Sequence, residues 1–249
     1  MQLGFHQRVA LVTGAAQGIG EAVARALTRA GATVHVTDIE TIPWAAGVEQ
    51  VTVHSADLGV QAEAHALVDR VVAREGRIDI VVNAAGGVRG QVGRPIEEVT
   101  ETDWRAIFAA NVDSAFWLAQ AAAVPMRKAG YGRIVIISSG AGLRPSLTGI
   151  QAYTAAKHAA IGLTKQLSQD LGPSGITCNS VAPGFVRSNP SSEKQWQSYG
   201  PEGQARLVQS IHTRRTGTTE DIANAVLFLA CEQAAWISGE ILSVNGGRS

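Results

Sequence analysis

The chain has 249 residues and carries 21 basic and 21 acidic side chains, so its formal net charge is zero. An α/β fold of this length usually forms one domain, and a neutral chain lacks the basic surface that nucleic acid or an anionic membrane requires. We find no unbroken apolar run of roughly 18 residues and no secretory leader pattern, so we expect a soluble, cytoplasmic protein with a small-molecule ligand. Its two cysteines, Cys178 and Cys231, are far apart and show no zinc-ligand spacing, so neither a disulfide framework nor a metal site is expected.

Short runs of β-branched residues alternate along the chain with Ala-rich segments of helical period. Several runs, such as VALV and RIVII, are apolar at nearly every position, which suits strands buried on both faces. The alternation predicts a doubly wound parallel sheet covered by helices. The predicted strands are residues 9–13, 33–37, 51–54, 78–82, 133–137, 176–181 and 241–244, and the predicted helices are residues 18–30, 60–75, 103–129, 152–171 and 219–231.

Two connections depart from this alternation. Residues 38–57 include Pro43 and are too few for a full helix, so we expect an abbreviated or irregular connection there. Residues 185–217 have a loosened pattern that includes Pro190 and Pro201. A loop this long in a compact domain is usually functional, and we predict that it forms a substrate lid.

The first predicted strand runs into a glycine-rich segment, TGAAQGIG at residues 13–20, before the first helix. Glycines allow a tight turn and close approach of a pyrophosphate, which the exposed N–H groups of the following helix attract. The spacing Gly-x3-Gly-x-Gly differs from the GxGxxG fingerprint and from a P-loop. An ordinary glycine-rich turn therefore remains an alternative on these residues alone.

Asp38 ends the second predicted strand, 24 residues beyond Gly14. A carboxylate there can accept hydrogen bonds from the adenosine ribose hydroxyls, and it would repel a 2′-phosphate. Gln17 and Ile39 stand at the two places where NADP-binding proteins generally have a basic residue. These residues favour NAD over NADP, with a solvated loop residue as the alternative interpretation of Asp38.

Tyr153 and Lys157 are one helical turn apart, so their side chains share one face of the predicted helix. A phenol with a pKa of about 10 is a poor base at neutral pH. A nearby ammonium group and a positive nicotinamide ring both favour the phenolate and bring the pKa towards the range that general acid–base catalysis needs. The pair therefore predicts a proton-transfer site.

The chain resembles the classical short-chain dehydrogenase/reductase family over nearly its whole length. The resemblance implies a single-domain Rossmann fold with a seven-stranded sheet of order 3-2-1-4-5-6-7. The motifs that carry the resemblance are TGAAQGIG at 13–20, Asp57-Leu58, Asn83-Ala84-Ala85-Gly86, Asn111, Ser138-Ser139, Tyr153-x3-Lys157 and Pro183-Gly184-Phe185-Val186.

The resemblance implies four catalytic residues. Tyr153 would be the general acid or base on the substrate oxygen, and Ser139 would hydrogen-bond the same oxygen. Lys157 would bind the nicotinamide ribose and depress the pKa of Tyr153. Asn111 would hold a water that links Lys157 to solvent.

The resemblance also implies a cofactor site for NAD. Asp57 and Leu58 would contact the adenine, residues 83–86 would line the cleft, and Val186 and Ser188 would meet the carboxamide. The full expected set is Gly14, Gln17, Gly18, Ile19, Gly20, Asp38, Asp57, Leu58, Asn83, Ala84, Gly86, Tyr153, Lys157, Pro183, Gly184, Val186 and Ser188.

Specificity is expected from residues 89–94, residues 140–151 and the lid, because these segments flank the expected nicotinamide position. The candidate substrate contacts are Arg144, Arg187, Trp196 and Tyr199, although surface arginine is the commoner explanation for the two arginines. Residues 103–129 include Phe116 and Trp117, more apolar surface than one inward face needs. Family members bury this surplus in a homotetramer, which is expected here too.

The expected activity is NAD-dependent interconversion of a secondary alcohol and a ketone. Three alternatives stay open. They are an NADPH-linked ketone or 3-oxoacyl reductase, a cyclic dihydrodiol dehydrogenase, and a non-catalytic dinucleotide-sensing protein that keeps the fold without turnover.

Overall fold

A parallel sheet of seven strands runs through the computed structural model, which describes residues 4–248. Its strand order is β3-β2-β1-β4-β5-β6-β7, which confirms the expected Rossmann topology. Because all strands are parallel, their carboxyl ends lie at one edge of the sheet, and this edge carries the candidate site. The strands are β1 (Val9–Thr13), β2 (Thr33–Asp38), β3 (Val51–Ser55), β4 (Ile80–Asn83), β5 (Gly132–Ile137), β6 (Ile176–Pro183) and β7 (Ile241–Val244).

Helices cover both faces of this sheet. Helices α1 and α8 pack on one face, while α2, α4 and α5 pack on the other. The helices are α1 (Gly18–Arg29), α2 (Gln61–Glu75), α3 (Glu101–Phe108), α4 (Ser114–Ala129), α5 (Gln151–Leu171), α6 (Pro190–Ser198), α7 (Gly200–Ser210) and α8 (Thr219–Ala230).

The core has two halves, one on each side of the sheet. On β1, Leu11 and Val12 are both fully buried but belong to opposite halves. Two-sided burial explains why the strand sequences are continuously apolar rather than alternating. Cys178 and Cys231 are both buried free thiols.

Of the two connections that depart from the alternation, one has the predicted form and the other does not. Between β2 and β3 the chain forms only a short 3₁₀ turn, Pro43–Ala45, which confirms the expected abbreviated connection. The segment 185–217 is not one long loop, because it contains α6 and α7. Asn189 caps α6 with a hydrogen bond from the Ser192 N–H, and Pro190 occupies the first helical turn.

The helix predicted over residues 103–129 is interrupted. A π-helical turn, Ala109–Asp113, separates α3 from α4, and π-helical turns occur often at functional sites. By length and composition alone the stretch Glu101–Ala129 is long and apolar enough to cross a membrane, a test that core helices of soluble proteins also pass. In the structure Leu118 and Met126 of this stretch are fully buried, and α4 belongs to the core that covers the sheet.

Candidate active site

The glycine turn between β1 and α1 depends on the absence of side chains. Gly14 and Gly18 have φ values of +62° and +64°, which favour glycine. A Cβ atom on Gly20 would lie 2.1 Å from the carbonyl oxygen of Gly14. Gln17 is the N-cap of α1 but makes no side-chain cap, and Ile19 follows in the first turn. The first N–H groups of α1 thus lack a side-chain cap, as an anion-binding helix terminus requires.

Asp38 lies beside this turn at the carboxyl end of β2. Its Oδ2 accepts a hydrogen bond of 2.9 Å from the Ala16 N–H, and its Oδ1 accepts one of 3.1 Å from the Glu40 N–H. The carboxylate is therefore fixed relative to the glycine turn and keeps further lone pairs for a ligand. This position fits the expected contact with ribose hydroxyls.

The residues after β3 and β4 are placed at the same edge. Asp57 is exposed, and the Leu58 side chain is buried in the core. Asn83 is also buried, and its Oδ1 accepts a 2.9 Å hydrogen bond from the Thr13 hydroxyl. The Asn83 side chain therefore ties β4 to β1, while Ala84 and Gly86 continue along the cleft.

Thr13 is a residue whose role the sequence analysis missed. Its hydroxyl donates to Asn83 and accepts a 3.0 Å hydrogen bond from the Ala85 N–H. Thr13 thus fixes the loop after β4 against the end of β1. A threonine that ends the apolar run VALV, directly before the first glycine, was the available signal in the sequence.

Asn111 lies in the π-helical turn and is buried. Its Nδ2 donates to the carbonyl oxygens of Gly87 and Ile107 at 2.9 and 2.8 Å. Its Oδ1 accepts a 2.9 Å hydrogen bond from the Gly87 N–H. A Cβ atom on Gly86 would lie 2.6 Å from the same oxygen, so only glycine fits there. The Asn111 side chain positions the loop after β4, and both of its donors are occupied by protein.

Ser138 and Ser139 end β5, and the structure separates their roles. Ser138 is buried, and its hydroxyl donates weakly to the Lys157 carbonyl oxygen at 3.4 Å. Ser139 is partly exposed, and its Oγ accepts a 3.1 Å hydrogen bond from the Ala141 N–H. The open hydroxyl is thus the one that the family resemblance selects.

Tyr153 and Lys157 lie together on α5 as the helical spacing predicts. The Lys157 Nζ is 5.6 Å from the centre of the Tyr153 ring and donates a 2.9 Å hydrogen bond to the Ile137 carbonyl oxygen. Tyr153 is partly exposed, whereas Lys157 is buried. The ammonium group therefore faces the end of β5 beneath the phenol ring.

The electrostatics differ from the sequence expectation for Tyr153. Desolvation raises the pKa of its phenol, and a hydrogen bond with Ser139 acts in the opposite direction. Burial lowers the pKa of Lys157 to about 8. The protein groups alone therefore do not depress the pKa of Tyr153, because desolvation outweighs the hydrogen bond with Ser139.

The chain leaves β6 close to the glycine turn. Pro183 ends the strand, and a Cβ atom on Gly184 would lie 2.8 Å from Asn245, so this crossing is tight. Val186 is buried, and the carbonyl oxygen of Ser188 would lie 2.6 Å from a Cβ atom on Gly18. The residues after β6 thus form the opposite wall of the cleft that begins at the glycine turn.

These contacts bring the expected residues together at one edge of the sheet, apart from the side chains of Leu58 and Asn83, which face the core. The side-chain-free turn, the uncapped start of α1 and the fixed Asp38 carboxylate fit a dinucleotide. The Tyr153–Lys157 pair and the Ser139 hydroxyl fit proton transfer to or from an oxygen. Fold and site together define a nicotinamide-dinucleotide oxidoreductase that acts on CH–OH groups.

The comparisons with known proteins agree. A family model described as enoyl-(acyl carrier protein) reductase matches residues 14–249. The chain belongs to the classical short-chain dehydrogenase/reductase family.

Individual relatives cover almost the whole chain. The 3-oxoacyl-(acyl-carrier-protein) reductase of Escherichia coli (strain K12) is 34% identical over 98% of this chain and 98% of its own length. The 7alpha-hydroxysteroid dehydrogenase of the same strain is 35% identical over 96% of this chain and 93% of its own length. The crystal structure of levodione reductase superposes with a TM-score of 0.89 at 28% identity, over 98% of both chains.

Proposed function

We propose that this protein is an NAD-dependent dehydrogenase that oxidises a secondary alcohol to a ketone, with Tyr153 as the general base. The observation that carries the proposal is the convergence of Tyr153, Lys157 and Ser139 beside the glycine turn and Asp38. The Tyr153–Lys157 pair would supply proton transfer, Ser139 would supply a hydrogen bond to the substrate oxygen, and the glycine turn with Asp38 would supply the cofactor site.

Ser139 would hold the substrate oxygen through its hydroxyl, and Tyr153 would take the hydroxyl proton. Bound NAD+ would supply an acceptor for the hydride of the alcohol carbon and a positive charge. This charge and the Lys157 ammonium favour the phenolate against the desolvation that raises the pKa of Tyr153. Lys157, with a pKa of about 8, exchanges protons near neutral pH and would pass the proton on. Asn111 would complete this relay by holding a water through its main-chain carbonyl oxygen, because its side-chain amide is already bonded to Gly87 and Ile107.

Asp38 is the basis for choosing NAD. Its carboxylate would accept the ribose hydroxyls and repel a 2′-phosphate. No basic side chain stands at position 17 or 39 to offset that charge. Arg25 on α1 is already paired with Glu21 at 2.8 Å and lies over the Trp44 ring.

Paired titrations with NADH and NADPH test the choice of cofactor. We expect NADH to bind at least about tenfold more tightly, because a like-charge contact costs on the order of 1 kcal/mol or more at a partly buried site. Asp38→Ser should reduce the difference. Tighter binding of NADPH by the unaltered protein would overturn the assignment.

The main competing function is an NADPH-linked 3-oxoacyl reductase, which the similarity to the Escherichia coli enzyme favours. A screen that follows NADH absorbance with cyclic and aromatic secondary alcohols, beside a 3-oxoacyl thioester with NADPH, separates the two. Turnover of the thioester alone would establish the competing function. Turnover of alcohols with NAD+ supports the proposal.

Two further features belong to the same proposal. Phe185 packs against Trp196 and Tyr199 at ring-centre distances of 5.9 Å, so α6 is held at the cleft wall and α6–α7 would form the substrate lid.

Phe116 on α4 is 37% exposed and would be covered in a cytoplasmic homotetramer. Light scattering at micromolar concentration measures the assembly, and a monomer would contradict this part.

A further inference from the structure

The arginines that flank the cleft differ in how their charge is balanced. Arg94 pairs with Asp103 at 3.2 Å. Arg187 forms a bidentate pair with Glu193, with hydrogen bonds of 2.8 and 3.0 Å, and its guanidinium lies over a tryptophan ring. Among residues 4–248 no carboxylate lies within 4.0 Å of the Arg144 guanidinium. Arg144 is therefore the partly buried cleft arginine whose charge the described chain leaves unbalanced.

The orientation of Arg144 is fixed by the chain after β7. Its Nη1 donates a 3.0 Å hydrogen bond to the carbonyl oxygen of Arg248. The Nδ2 of Asn245 donates to the same oxygen at 2.8 Å, which holds that acceptor in place. One end of the guanidinium is thus anchored, and less rotational freedom is lost when a ligand binds the other end.

The other edge of the guanidinium lies beside Gly140, at the end of β5. A Cβ atom on Gly140 would lie 3.6 Å from the Arg144 Nη2 and 4.0 Å from its Nε. The same position is 3.5 Å from the Pro183 carbonyl oxygen, at the carboxyl end of β6. Gly140 directly follows Ser139, so the Nε–Nη2 edge lies next to the residue that would hold the substrate oxygen. In the described chain this edge makes no hydrogen bond.

The surroundings add positive charge rather than balancing it. Arg248 is partly buried and has no ion pair within residues 4–248. Its pKa is lowered, first by burial and then by the nearby Arg144 charge. Within residues 4–248 these two neighbouring arginines have no counter-charge, which raises the local affinity for an anion.

We propose that the Nε–Nη2 edge of Arg144 binds a carboxylate group of the substrate, so that the alcohol oxidised at this site is a hydroxy acid. The planar fork presents two parallel N–H donors, which match the two oxygens of a carboxylate. This inference rests on the proposed dehydrogenase function. The product is the corresponding oxo acid, formed when the alcohol carbon loses a hydride to NAD+ and the hydroxyl loses its proton to Tyr153.

Matched pairs of substrates test the inference. Hydroxy acids with increasing separation between hydroxyl and carboxylate are compared with their methyl esters and with 2-hydroxypropyl phosphate, using NAD+. We expect kcat/KM for the best acid to exceed that of its ester. Arg144→Gln should reduce kcat/KM for the acid by roughly 100-fold and leave that for the ester within about twofold, since only the charged contact is lost.

Variants and controls separate the possible outcomes. Arg144→Lys keeps the charge but not the planar fork, so its kcat/KM for the acid should lie between those of the unaltered protein and of Arg144→Gln. Activity on the ester shows that the variant folds. Arg127→Gln removes one exposed positive charge from the end of α4, at the opposite edge of the sheet, and should change neither substrate.

A preference for esters or for the phosphate, or loss of acid selectivity in Arg187→Gln instead, would overturn the carboxylate inference and leave the dehydrogenase function standing. Absence of NADH formation from every alcohol in the panel would overturn both.

Discussion

Lowering the pH from 7.5 to 5 should destabilise the protein at a histidine pair that joins β2 to β3. His35 is fully buried, and its Nδ1 is 2.8 Å from the Nε2 of His54. Its Nε2 is 3.1 Å from the Glu75 Oε1 on α2. With both rings neutral, His54 donates to His35 and His35 donates to Glu75, so each contact has one proton.

A proton added to His54 enters an unfavourable environment. Burial lowers the pKa of His54 to about 4, and the charges of His35, Arg70 and Arg74 act in the same direction. Burial also lowers the pKa of His35, against the effect of Glu75. Because the unfolded chain binds this proton at a pKa of about 6.5, stability is lost as the pH falls from there towards the folded value. At pH 5 the His54 contribution to the loss is about 2 kcal/mol.

Urea unfolding at pH 7.5 and pH 5, at one protein concentration, measures this loss. His54→Gln is the matched variant, because its amide can still donate to His35 but does not titrate. Between pH 7.5 and pH 5 the unfolding free energy should decrease by about 2 kcal/mol less in His54→Gln than in the unaltered protein. This figure does not include the separate effect of His35. Equal decreases in both proteins would refute the assignment of a lowered pKa to His54.

Two further substitutions test the buried charges. Asp79 is 1% exposed and accepts hydrogen bonds from the Val9 N–H at 2.9 Å and the Arg77 Nη2 at 2.6 Å, so Asp79→Ala should lower the unfolding free energy by about 3 kcal/mol. A loss below about 1 kcal/mol in urea would show that this carboxylate adds little. Lys157→Met should abolish turnover yet raise the unfolding free energy at pH 7 by about 3 kcal/mol, because burial holds the pKa of Lys157 near 8, below its value in the unfolded chain. A lower melting temperature for that variant would contradict the account of Lys157.

Local patterns in the sequence were sufficient to predict most of the fold. The continuously apolar strands predicted the parallel sheet, because burial on both faces requires apolar residues at nearly every position. The glycine turn predicted the edge of the sheet that holds the cofactor site, because positive φ angles favour glycine. Helix α6 was missed because none of its residues is buried, so it has no apolar period to detect. Its start was nevertheless marked by Asn189 and Pro190, a common N-terminal pair for helices.

The finer parts of the site depend on contacts between distant residues. The spacing of Tyr153 and Lys157 predicts a shared helix face, but not that the Lys157 Nζ turns to the Ile137 carbonyl oxygen. The motif containing Asn111 gives no sign that its amide holds Gly87. Arg144 and Arg187 were equivalent candidates until the structure placed Glu193 against Arg187.

The central claim is that Tyr153 performs proton transfer in an NAD-dependent oxidation. Tyr153→Phe removes one oxygen atom and keeps the ring over Lys157, so the most direct measurement compares NAD+ affinity and alcohol turnover in this variant with the unaltered protein. The account predicts an NAD+ dissociation constant within about twofold and a fall in kcat of at least about 100-fold, the usual contribution of a general acid or base. Normal turnover by Tyr153→Phe would contradict it.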